Sequence, residues 1–530
     1  MKRLLIALCL VLMLPAWGWG ATYYVATGGV DTNNGTSTET PWAHHPHDGS
    51  ATNTSAATVL SAGSQVLFKR GDTFTGVSIT IDEGGSDGNP VITGSYGTGA
   101  KPILENAAAY VIHGQGIGDS YNRFQDLDIR GNGSTAQITF HDGVLGCEVI
   151  NCDVLADTGG TNGYCVQISL NSVVTIQDCN LVVSEEGRGL YIYGSSGSVI
   201  DGKTITTNED AESGDSAYVG IHITATSDSN TISNNTIGSV SNSFLYGIRL
   251  DDADSNHIYG NTITSGNQYG SGIAGVSATH TGNKIYRNTI IGTASGINIA
   301  NGGGDNHCYF NLIYGYARNG IDYVVEADGV GYSLVANNTI IHSPNETNPV
   351  GHGIEIEDGT VELRNNIVII PSTFDPGDGL GVAGVHCIAY TTGYTDIKAS
   401  NNIYYPHPTA IANGVHLSQH GGNFDNTIED FQSDISGDAN VSVKEVNSDD
   451  ANPQLSDITT YNFILTSTSP CKYAGTSPFV NGDGDQYDMT SPTPLKVWDD
   501  ATDSPVGPWG YGVTIGAYGY QPAKVMLGVL

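Results

Sequence analysis

The chain has 530 residues, of which 70 are glycine, 39% are hydrophobic and only 14% are charged. This composition suits many short strands joined by tight turns rather than helical domains, and with 28 tyrosines it excludes a disordered chain. Nineteen Lys+Arg against 54 Asp+Glu leave a net charge of −35, which repels phosphate backbones and excludes nucleic acid as a partner.

Residues 1–20 read as an export signal. Lys2 and Arg3 form a basic start, Leu4 to Pro15 an apolar run, and Gly18-Trp19-Gly20 a small-residue exit before Ala21. The run is too short for a permanent span, and no later segment is long and apolar enough for one. A secreted or periplasmic protein without stable membrane insertion is expected. Export permits disulfides. Cys147, Cys152, Cys165 and Cys179 fall close together without metal-ligand spacing. They read as buried small hydrophobes, with one disulfide near Cys147–Cys179 as the alternative. His44-His45-Pro46-His47-Asp48 reads as a surface loop rather than a metal site.

Two interleaved repeats follow. One places Asn before a short apolar strand, at Asn235, Asn261, Asn288, Asn311, Asn338, Asn365 and Asn401, in steps of 23 to 36 residues. The other places Gly before an alternating strand, at Gly189, Gly220, Gly247, Gly272, Gly296, Gly320, Gly353, Gly384 and Gly414, in steps of 24 to 33. A unit of about 24 residues cannot bury its own apolar face, but stacked units can. Each strand then pairs in parallel with its counterpart one unit on, about 4.8 Å away. The Asn side chains would form a ladder, and the glycines would mark corners of positive φ.

These repeats resemble those of right-handed parallel β-helix proteins, the pectate-lyase-like group. Tyr23-Tyr24-Val25-Ala26 with Pro41-Trp42 resembles the opening strand of secreted members, and the segment from Gly63 to Phe74 resembles the first coil. Asn452-Pro453, Ser469-Pro470 and Ile515-Gly516-Ala517 resemble the closing segment. The resemblance implies an all-β fold: a single-stranded right-handed parallel β-helix solenoid of about ten coils with terminal caps. An N-terminal cap and first coil would span 21–109, repeats 110–417, and a closing segment 418–530. The fold hosts lyases, hydrolases, epimerases, tailspikes and adhesins, so activity must be argued from the site.

In the Gly-Ile-x-Ile strand, x points out of the solenoid. Along the stack, x reads Tyr191, His222, Arg249, Ala274, Asn298, Asp322, Glu355, His386 and His416. Long connections on both sides of a low stretch would make a trough. Its walls would carry Glu209, Asp210, Glu212 and Asp215 on one side, and Asn345, Glu346, Asp375 and Asp378 on the other. A linear polysaccharide fits a trough.

Asp322 and Glu355 occupy adjacent coils, and Glu357 points out from the same strand as Glu355. Such carboxylates suit a retaining glycosidase pair or a calcium ion. In so acidic a protein, a calcium-bridged uronate polymer is the better substrate reading. The leading expectation is a polysaccharide lyase on an acidic polysaccharide. Asp322, Glu355, His386 and Arg249 would be catalytic, Asn298, His222 and His416 would bind substrate, and Asp322, Glu355 and Glu357 would hold calcium. The resembled lyases use Lys or Arg as base; no Lys stands in the row, so Arg249, His386 or His416 would have to act. The alternatives are a glycoside hydrolase using Asp322 and Glu355, and a non-catalytic glycan-binding surface protein or adhesin. Asp251, Asp252 and His222 are the next candidates. Asp483, Asp485 and Asp488 lie at spacings suited to a structural calcium. Both variants Asp322→Asn and Glu355→Gln are expected at exposed positions, with little effect on folding.

Overall fold

The computed structural model describes residues 20–457 apart from the stretches 108–109, 132–135, 158–162, 185–186, 208–217, 239–243, 266–269, 278–279, 303, 326–332, 343–350, 371–384, 392–393, 409–415, 421–422, 447 and 451–454; beyond 457 it describes only short strands between Asn462 and Trp509. Residues 1–19, the named acidic residues of the trough walls, the closing-segment residues named above, and Asp483, Asp485 and Asp488 lie outside the described residues. No helix among the described residues is long and apolar enough to cross a membrane.

Each coil contributes one strand to each of three sheets. In one coil, Val219–Thr224 joins sheet B, Thr231–Ser233 joins sheet A, and Thr236–Ile237 joins sheet C. The next coil repeats the path with Tyr246–Asp251, His257–Tyr259 and Thr262–Thr264, each paired in parallel with its predecessor. Sheets A, B and C reach 15, 14 and 13 strands, so the chain is a right-handed parallel β-helix. Stacking begins at Thr22–Val25 and runs to Val441–Val446; residues 22–109 therefore supply coils of the same solenoid.

The core follows from the isoleucines of the repeat. Ile221, Ile223, Ile232 and Ile237 of one coil are wholly buried, as are Ile248, Leu250 and Ile258 of the next. Each such side chain contributes roughly 1.5–3 kcal/mol relative to exposure. The stacked units bury what a single unit would leave wet.

The Asn ladder runs through Asn235, Asn261, Asn288, Asn311, Asn338, Asn366 and Asn402 at the corner between sheets A and C. The last two rungs lie one residue later than the repeat predicts. Asn365 and Asn401 instead take positive φ, 57° each, at the corner where Asn234 and Asn337 do the same. Either Asn of an Asn-Asn pair suits both roles by residue type; only the ladder register separates them. A second ladder, Asn230, Asn256, Asn283 and Asn306, lines the corner between sheets B and A.

The glycines of the second repeat need revision too. A Cβ on Gly247 would lie 2.5 Å from Ile263 Cγ2 and 2.6 Å from the Gly272 carbonyl oxygen, with φ outside the positive range. Close coil packing, not left-handed backbone, demands glycine there. All six cysteines among the described residues are buried free thiols, which removes the Cys147–Cys179 disulfide. Nor is the His44–Asp48 segment a surface loop. His45 is buried, 6.1 Å from the Phe68 ring, and His47 pairs with Glu83.

Between the last strands of sheet B and Val441–Val446, helix Ile428–Asp434 is capped by the Thr427 hydroxyl and buries Phe431 beside Tyr390, ring centres 5.4 Å apart. Phe431→Ala should cost about 3–5 kcal/mol and uncover strand edges. Thermal denaturation with light scattering reads both effects. A melting temperature and solubility equal to the parent's would contradict this capping role.

Candidate functional site

Sheet B carries the row read from the sequence. Its strands align His222, Arg249, Ala274, Asn298, Asp322 and Glu355 at one register position. The next residues at that position are Ala389 and Gln419, not His386 and His416. His386 and His416 instead align with His352, three residues before Glu355. The physical reason is a changed residue at the repeat's glycine: the pairing of Gly351–Ile356 with Val385–Tyr390 keeps one offset throughout and sets Cys387, not Gly384, beside Gly353, so a row counted from Gly384 is three places out. His386 is wholly buried between His352 and Phe424 and is no open substrate contact.

Asp322, Glu355 and Glu357 each present an oxygen, and these oxygens lie within 4.8 Å of one another. Asn298 Nδ2 donates to Asp322 Oδ2 at 3.1 Å. Asn319 Nδ2 donates to Glu355 Oε2 at 2.7 Å, while its Oδ1 accepts from the His352 backbone N–H. Asp322 Oδ1 is buried and has no hydrogen-bond donor. His352 Nε2 stands 3.6 Å from Glu355 Oε1, and His352 Nδ1 meets His386 Nδ1 at 3.0 Å.

Neither carboxylate is the exposed group expected from the outward row. The Glu355 side chain is only 12% exposed, and Asp322 is also half-buried. Burial, reinforced by Asp322 and then Glu357, pushes Glu355 up to about 7. Burial, with Glu357 adding, pushes Asp322 up to about 6. Burial also drives His352 down to about 4 and His386 to about 2, so both imidazoles are neutral at pH 7.

Arg249 and His222 belong to a different cluster. Arg249 lies three coils from Asp322, about 14 Å along the stack, and His222 four. Both bind one carboxylate: His222 Nε2 is 2.8 Å and Arg249 Nε 2.9 Å from Asp251 Oδ2. That occupied guanidinium cannot act on a bond held at Asp322. Asp252 turns away at positive φ in the following corner. The sequence places His352 before the Glu355 strand without a role; Asn319 beside Glu355, and Arg188 and Tyr164 at the far end, have no place in that reading. All stand three residues before the outward row, where simple alternation predicts the opposite face. A separate cavity of about 590 Å³, lined by Glu105, Asn106, Arg130 and Asp157 among others, adjoins sheet C. Its Arg130 is already bidentate on Asp128.

The family described as right-handed β-helix region matches residues 136–313. The search of curated proteins finds no match. Among solved structures, the chain is similar to pectate lyase Pel9A, at 15% identity and TM-score 0.39 over 94% of this chain and 96% of that one. It is similar to XylC in complex with xylose, at 11% identity and TM-score 0.41 over 76% and 86%. A mannuronic-acid-specific polysaccharide family 6 lyase from human gut microbiota is similar at 14% identity and TM-score 0.36 over 69% and 79%.

Proposed function

We propose that the protein is a polysaccharide lyase acting on an acidic, uronate-containing polysaccharide outside the cytoplasm. The observation that carries this reading is the convergence of Asp322, Glu355 and Glu357 on the outer face of sheet B. The basic, apolar and small-residue pattern of residues 1–20 supports the location.

The three carboxylates fit a calcium ion, which prefers several oxygen ligands, and the donorless Asp322 Oδ1 suits a cation rather than a hydrogen bond. Asp322, Glu355 and Glu357 would hold it, and bound there it would neutralise a uronate carboxylate and acidify the neighbouring C–H. His352 takes the place that Arg249, His386 and His416 held in the sequence reading. It is neutral at pH 7, and its Nε2 faces the carboxylate cluster. If its Nδ1–H donates to His386 Nδ1, Nε2 is left as the accepting lone pair. Asn319 fixes both the His352 backbone and Glu355. In the elimination, His352 Nε2 accepts the proton next to the carboxylate, the C–H electron pair forms a double bond in the sugar, the glycosidic C–O bond breaks with its pair going to the leaving oxygen, and that oxygen takes a proton from water.

One observation favours a second reading. A carboxyl held near 7 beside a second one is what a glycosidase general acid requires, so Glu355 with Asp322 also fits a glycoside hydrolase. Incubation with polygalacturonate, alginate and glycosaminoglycans, with and without calcium, separates the readings. A lyase yields an ultraviolet-absorbing unsaturated uronate together with reducing ends. A hydrolase yields reducing ends alone. A glycan-binding surface protein yields neither, and that result on every polymer would overturn the enzymatic reading.

A further inference from the structure

We infer that the sheet B face around Arg188 is a binding subsite for a negatively charged sugar substituent, a carboxylate or a sulfate. The inference rests on the reading that this face takes a polysaccharide, and it assigns a chemical task to a part of the groove remote from the carboxylate cluster.

The Arg188 guanidinium is built in but not neutralised. Its carbon lies 5.3 Å from the Tyr164 ring centre and 5.1 Å from that of Tyr191, and the two rings stack at 5.0 Å. Nη1 donates to the Tyr164 hydroxyl at 3.0 Å. Nε is buried and has no acceptor. Among the described residues no carboxylate pairs with Arg188, whereas Arg70, Arg123, Arg130, Arg249 and Arg364 each meet one. Two tyrosine rings hold its planar fork, which is preorganised for a two-oxygen anion.

The neighbours suit a sugar. Tyr193 is 42% exposed and lies 6.1 Å from Tyr191, offering an amphipathic ring to a pyranose face. His222 packs 5.3 Å from Tyr191 and keeps a buried Nδ1 without a partner. Its Nε2 is held by Asp251, whose charge is shared with Arg249. Along sheet B, Arg188 stands five coils before Asp322, about 24 Å away. A single sugar cannot reach both ends. The ligand is therefore a polymer with charged groups at intervals: one is held at Arg188, and another lies at the carboxylate cluster.

Affinity electrophoresis of the full mature chain tests this with three probes: polygalacturonate, its fully methyl-esterified neutral form, and chondroitin sulfate. The expected result is retardation by at least one anionic polymer and at least tenfold weaker binding to the neutral ester. Arg188→Gln should lose at least tenfold in affinity for the anionic polymer, and Arg188→Lys should recover part of it. The ester comparison needs no substitution, so it holds even where a variant folds poorly. Equal binding of acid and ester, unchanged binding by a folded Arg188→Gln, or no retardation by any probe would each overturn the subsite. Asp322→Asn separates the two proposals. If neither it nor the parent cleaves any polymer while Arg188-dependent retention persists, the subsite stands and the lyase reading falls.

Discussion

Glu355→Gln is expected to reduce calcium affinity and turnover at least about a hundredfold, and at the same time to stabilise the calcium-free protein at alkaline pH. The two effects share one cause. Glu355 is pushed from 4.5 up to about 7 by burial, Asp322 and Glu357, so its charged form is disfavoured in the fold. A carboxyl raised in this way contributes stability that is complete below its unfolded value and lost as pH rises through its folded value. Asp322, raised to about 6, acts in the same direction. The calcium-free parent should therefore lose melting temperature between pH about 4.5 and 7, and millimolar calcium should restore it at pH 8 by binding the folded state. The glutamine variant should show a flatter pH profile and little calcium response. This replaces the expectation that the substitution leaves folding unchanged, which assumed an exposed side chain. Differential scanning calorimetry at pH 5 and pH 8, with calcium or a chelator, decides the matter. A parent profile flat in pH and indifferent to calcium would remove the cation site.

The second large effect concerns the ladder. Asn288→Ala should destabilise the fold by about 3–5 kcal/mol, because several buried groups lose partners at about 1–3 kcal/mol each. Asn288 Nδ2 donates to the Ile258 carbonyl at 2.9 Å and to Asn311 Oδ1 at 3.1 Å. Its Oδ1 accepts from the Asn261 backbone N–H and from Asn261 Nδ2, at 3.0 and 2.9 Å. No alanine replaces any of these. Asn234→Gly is the matched control: Asn234 is exposed, with φ 53°, a conformation glycine adopts freely, so its change should stay within about 1 kcal/mol. Urea unfolding of both variants measures the difference. Equal, small losses would mean that the ladder adds little to stability.

The sequence alone determined the solenoid. Isoleucines that alternate along one strand of every repeat, an asparagine before the next, and repeats too short to fold alone leave stacking as the one way to bury the apolar face. It also determined the outward row from His222 to Glu355, and the neighbourhood of Asp322, Glu355 and Glu357, because successive glycine-led strands in that stretch stay in one register. The tertiary structure decided what depends on register across long connections and on burial. Asn366 rather than Asn365 enters the ladder, since two adjacent asparagines differ only in which one the neighbouring rungs can reach. His386 lies three places from the position read off Gly384, because Cys387 stands beside Gly353 and a repeat marked by glycine does not foresee a cysteine in its place. Arg249 is claimed by Asp251, two residues along its own strand, which the pattern of residue types does not exclude. The carboxyls of Asp322 and Glu355 hold their protons to near-neutral pH because coils above and below remove their water, and that burial exists only once the coils are stacked.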